Sequence, residues 1–137
     1  MVYPDPIATL IGAVVPFFFG AIYYTVLSKP WLRAVGMKAE DASMTPVLIG
    51  LTAAHLLVIS FGIGWLLATM GIVNSIPSAV AVLAILWATL ILAPISMNHR
   101  YQDRGLDLTL IDGIYWLLVV QIAGLAHVLW AGAPKIG

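Results

Sequence analysis

Cysteine is absent and charge is scarce: Asp, Glu, Lys and Arg make up 9% of the 137 residues, where soluble domains carry about 25%. The first absence excludes disulfides, iron–sulfur ligation and a thiol nucleophile. The second, set beside 62% apolar residues, excludes an ordinary soluble domain. Six basic residues balance six acidic ones and form no basic tract, which argues against nucleic acid as a partner. No HxxxH, ExxH or cysteine pair supplies metal ligands on one face. No nucleophile elbow, phosphate loop or dinucleotide fingerprint occurs. No catalytic set, metal or cofactor is therefore expected.

What is present is four long apolar runs, at about 7–28, 46–70, 77–97 and 108–131. Each holds at least 18 residues with almost no charge, the length that favours a membrane-spanning helix over a buried soluble one. None alternates polar and apolar residues as a membrane barrel requires. The fold class expected is all-α: a four-helix integral membrane bundle, one domain over residues 1–137, built as two hairpins. Nothing basic precedes the first run and no small-residue cleavage site follows a short apolar core, so a retained helix is expected instead of a signal peptide. Thr45, Ser75 and Asp107 are the N-caps expected for the second, third and fourth helices.

The basic residues set an expected topology. Lys29, Arg33 and Lys38 lie between the first two runs, Arg100 and Arg104 between the last two, and Lys135 alone falls in the tail. The positive-inside rule puts the two charged loops in the cytoplasm and both termini on the far side of a bacterial cytoplasmic membrane. Trp31 and Arg33, with Arg100 and Arg104, are expected to anchor these loops at the headgroup boundary.

Two helices carry small-residue faces. Thr9, Gly12, Pro16, Gly20 and Tyr23 recur at spacings of three and four, and Gly113, Val120, Gly124, His127 and Ala131 share one narrow stripe of the fourth helix. Small residues let backbones approach where lipid gives no hydrophobic incentive to associate, so Gly12, Pro16, Gly20, Gly113 and Gly124 are expected to pack helix on helix. Pro16 removes one helical hydrogen bond and is expected to bend its helix.

Four intramembrane polar residues are candidate ligand contacts: His55, Asp112, Gln121 and His127. Asp112, about five residues into its helix, is placed to cap its own first turn. His127 lies within a turn of the outer boundary, where an imidazole reaches water. His55 lies about nine residues deep, roughly 13 Å, near mid-membrane, and is expected either to bond a neighbouring helix or to line a cavity. Gln121 points almost opposite to Asp112. The two histidines differ in depth by about 15 Å, which disfavours a haem held between them.

Several of these residues also carry a family likeness. Gly12 to Trp31, with Gly20, Tyr23, Tyr24, Lys29 and Trp31, resembles the opening of the bacterial membrane family called domain of unknown function 1761. Its first helix typically reads Gly-x-x-Trp-Tyr, followed by lysine and tryptophan at the membrane edge; Tyr23 stands here in the tryptophan's place. Ala93-Pro94, Asn98 and Leu110-Ile111-Asp112-Gly113 with Gly124 resemble its second half. The likeness implies a four-helix integral membrane protein without an assigned reaction, with Asp112 and Gly113 in the shared motif and His55 and His127 outside it.

These features lead to an expected non-enzymatic membrane protein whose partners are lipids and other membrane helices, as an oligomer or as an accessory subunit of a larger complex. The alternative is a carrier or binding bundle for a proton, small solute or hydrophobic ligand, with His55 and Asp112 lining its cavity. Fainter still is a lipid-acting enzyme holding a phosphate headgroup on Trp31, Arg33, His99, Arg100 and Arg104.

Overall fold

The computed structural model describes residues 3–72 and 74–131. The first span is α1 (Pro6–Val26), followed at once by a short helix, α2 (Ser28–Val35). The second span is α3 (Pro46–Thr69). The third is one continuous rod, Ile76–Tyr101, made of α4 (Ile76–Leu86), a π-helical stretch over Trp87–Leu92, and α5 (Ala93–Tyr101). The fourth is α6 (Leu106–Ala131). All four are long and apolar enough to cross a membrane, and no strand occurs among the described residues. In hydrocarbon a helix closes its backbone hydrogen bonds within itself, which is why each apolar run takes this form.

Local chemistry sets the boundaries. Asp5 Oδ1 accepts the backbone N–H groups of Ile7 and Ala8, Thr45 accepts from Leu48, and Ser75 accepts from Ser78, so three helices start on a side-chain cap. Asp107, expected as the cap of the fourth helix, lies instead in the first turn of α6, which begins one residue earlier. Pro30 has no N–H for the carbonyl four residues back, and the chain turns at Leu27 between α1 and α2. Gly36 ends α2 at φ +70°, a left-handed position that favours glycine.

The third span runs past its expected end because Pro94 shifts the register without breaking the rod. Ala93 N–H bonds Ala88 C=O, five residues back, and the Thr89 hydroxyl donates to Ile85 C=O at 2.8 Å. The wider turn accommodates a residue that cannot donate, while a threonine engages a carbonyl in the disturbed stretch.

α6 is the axis of the bundle. It packs against α1, α2, α3, α4, the π stretch and α5, and from Tyr115 to Val128 none of its residues is exposed. The third span is the opposite case: of its 26 residues only Ala79 and Leu83 are buried. The first turns of α3 also stand clear, with every residue from Pro46 to Leu51 exposed.

Glycines set the closest approaches. A side chain at Gly12 would meet Ser60 and the Ala123 backbone, one at Gly20 would meet the Tyr115 ring, and at Gly113 and Gly124 it would meet Leu92 and Leu83. Pro16 is fully buried on the same side of α1, while Phe18 faces outward. Substituting Gly12→Val is expected to destabilise the bundle by about 1–3 kcal/mol through overpacking. Gly50→Val has open space around it and is expected to cost under about 1 kcal/mol. Thermal unfolding of both variants in one detergent checks the contrast.

Candidate functional site

The two charged connections meet at one end of the bundle, the basic end: a side chain at Gly36 of the first would meet the Arg104 guanidinium of the second. Just inside this end lies Asp112, one turn and a half into α6, with its carboxylate shared among three elements. Oδ1 accepts the Tyr24 hydroxyl of α1 at 2.9 Å and the Trp31 indole N–H of α2 at 3.2 Å. Oδ2 lies 3.6 Å from Nε2 of His99 on α5, both side chains being largely buried at 13% and 19% exposure. The other ring nitrogen of His99, Nδ1, is 3.0 Å from the Thr109 hydroxyl one turn before Asp112. The result is a chain of polar groups, Tyr24 and Trp31 to Asp112 to His99 to Thr109, linking α1, α2, α5 and α6.

Hairpin arithmetic accounts for the last pairing. α5 and α6 run antiparallel from the 102–105 turn, so residues about equally far from it lie level, and His99 falls opposite the Thr109 to Asp112 turn. Rings close over the cluster. Tyr24 lies 4.9 Å from Tyr115 and 5.8 Å from Trp31 between centroids, both edge-on. Tyr23 donates to Ile111 C=O at 2.8 Å, and Trp87 N–H to Gly113 C=O at 2.8 Å, so the carbonyls flanking Asp112 are also engaged. Two expectations change here. Asp112 does not cap its own helix: its carboxylate accepts from Tyr24 of α1 and Trp31 of α2 and faces His99 of α5. Trp31 turns its indole inward to that carboxylate instead of outward to headgroups; Arg33 and Arg100 remain exposed.

Toward the other end His127 forms a second, separate polar contact. Its Nε2 lies 3.0 Å from Ser60 C=O and 3.4 Å from Ser60 Oγ, and Gly64 leaves room for the ring. Only 8% of the residue is exposed. Although near the end of α6, the imidazole therefore turns into the bundle and not to water, since Ser60 is buried there with a carbonyl to offer. Gln121 Nε2 donates to Val80 C=O at 3.1 Å, while its Oε1 is buried without a partner. His55 is exposed on the outer face of α3 and makes no hydrogen bond to any described residue. It lines no cavity with Asp112.

A groove of about 330 Å³ opens between α3 and the third span, lined by Ile59, Ile91, Pro94, Ile95, Asn98 and Trp116 among others. It is almost wholly apolar and lies beside the Asp112 cluster without including it. Among the described residues no three His, Asp or Glu side chains converge. The arrangement at Asp112 can hold a carboxylate against an imidazole at the membrane edge and tie α2 down.

Tyr24→Phe is expected to destabilise the protein by about 1–3 kcal/mol, because a donor to a carboxylate is lost while the ring stays. Trp31→Phe should act similarly. The double variant should lose at least about 0.5 kcal/mol more than the sum, since Oδ1 then has neither donor. A double-mutant cycle by unfolding in detergent measures this; strict additivity would count against the shared acceptor.

No curated protein and no solved structure matches the chain. A family model does match, over residues 7–128, and reaches from the first span into the fourth, taking in Asp112 with its donors and His127. With α3 and the third span inside that match and nearly all of α1 and α6 as well, the chain belongs to the family described as Protein of unknown function (DUF1761).

Proposed function

We propose that this multi-pass membrane protein is non-enzymatic and works by packing against another membrane helix bundle, as an oligomer or as an accessory or assembly subunit. The observation that carries the reading is the third span. It touches the rest of the chain mainly through α6 and has two buried residues in 26, so the side turned away from α6 is left for a partner to cover. Its outward side presents Ala81, Ile85, Ala88 and Thr89, a mixture of small and aliphatic groups that suits close helix contact. Five of the six basic residues gather at one end, which supports a bacterial cytoplasmic membrane with that end inside and both termini outside.

A second reading, a carrier or binding bundle, draws on the carboxylate–imidazole pair at Asp112 and His99. Ionisable groups within a span are costly and are candidates for function by default. The groove between α3 and α5 offers adjacent space for a hydrophobic ligand, without His55 in its wall.

The absence of cysteine makes the test clean. Ala88→Cys, treated with a membrane-permeant cross-linker in native membranes, is expected to give one discrete adduct with a partner chain. A protein that stays monomeric in those membranes and in mild detergent contradicts the assembly reading. For the carrier reading, Asp112→Asn in sealed vesicles is expected to abolish proton or solute flux while Ala88→Cys cross-linking persists; flux equal to that of the unsubstituted protein removes it.

A further inference from the structure

The outer face of α3 holds an imidazole, that of His55, to which no described residue hydrogen-bonds. Leu51, His55, Val58, Gly62, Trp65 and Thr69 follow one another at intervals of four and three residues, and all six are exposed. That is the a/d spacing of a two-helix seam. Leu56, the residue after His55, turns the other way into a cluster with Ala13, Tyr115 and Val119. Val119 is at the middle of α6, so His55 lies near the middle of the membrane, too deep for its short side chain to reach water. A neutral imidazole carries one donor and one acceptor, and hydrocarbon satisfies neither. The seam faces away from the bundle, and no side chain crowds Gly62, leaving room for a close approach.

We propose that this seam is the interface with a second copy of the same chain, with α3 pairing against α3 and His55 bonding His55 across the two-fold axis. Copies inserted with one topology share an axis along the membrane normal, so identical residues meet at identical depth. A neutral imidazole is self-complementary: one ring donates and the other accepts. A single polar residue in an otherwise apolar seam also fixes its register. A partner of another sequence would have to supply a polar group at this one depth, whereas a second copy supplies it by symmetry. The inference rests on the assembly reading but uses a different face from the third span.

The test is again cysteine placement. Val58→Cys, oxidised in native membranes, is expected to form a disulfide-linked dimer of this chain, while Phe18→Cys, equally outward on α1, is not. Reversible association of the reduced protein in vesicles, followed by energy transfer, is expected to weaken about three- to tenfold in His55→Leu and to persist in His55→Asn, whose amide is also self-complementary. His55 is exposed and makes no hydrogen bond to any described residue, so folding is expected to survive both changes. Equal association of the Leu and Asn variants would overturn the proposal, as would absence of the Val58→Cys dimer, Phe18→Cys dimers formed as readily, or cross-linking of Val58→Cys to a different polypeptide. Ala88→Cys adducts without the Val58→Cys dimer sink this inference alone; the dimer without those adducts sinks only docking at the third span.

Discussion

Everything in this structure follows from one constraint: in hydrocarbon no water is available to pair with a backbone N–H or C=O, and no hydrophobic incentive brings two apolar helices together. The chain answers the first half with four helices and the second half with contact. α6 is the axis because it can be approached closely, at Gly113 and Gly124 along its own length, while Gly12 and Gly20 on α1 open the facing surface. Hydrogen bonds add to this close approach, at Ser60 and His127, where Gly12 and Gly64 leave the room, and at Tyr23 and Ile111 C=O.

The two polar centres divide the labour along that axis. At the basic end Asp112 gathers donors from α1 and α2 and faces His99 of α5, so the short helix outside the spans is tied to the bundle at the same point as the third span. Nearer the other end His127 joins α6 to α3 alone. Between them lie Leu56, Val119 and Ala123, buried and apolar, so the two centres are not connected by a run of polar groups. The packing is uneven as a result: α6 is enclosed over most of its length, whereas the third span and the first turns of α3 contribute surface far more than core.

Much of this was legible in the residues. Four spans, their caps at Thr45 and Ser75, and the packing glycines all follow from patterns with a period or a length, and the structure places them accordingly. Contacts between distant segments were harder to read. Trp31 looked like a headgroup anchor because its neighbours are basic, yet its indole has a carboxylate within reach only once α2 folds back across α6. His99 was counted with the surface arginines; a level count outward from the 102–105 turn places it beside Asp112. His127 and His55 both depart from expectation, because depth along a helix says nothing about which side of it a residue faces. The partner at Ser60 decides the first, and the lack of one leaves the second outward. The π stretch came from a pair, Pro94 and Thr89, that neither residue announces alone.

The central claim is that α6 is enclosed by the other three spans inside a bilayer. Spin labels attached to single cysteines, one position at a time, report collision with lipid-dissolved oxygen. Along α6 from Leu117 to Ala126 the accessibility should stay low at every position, while along α1 from Val14 to Ile22 it should rise once per helical turn to values typical of lipid contact. A comparable oscillation along α6 would mean that one of its sides faces lipid, and the arrangement described above would be wrong.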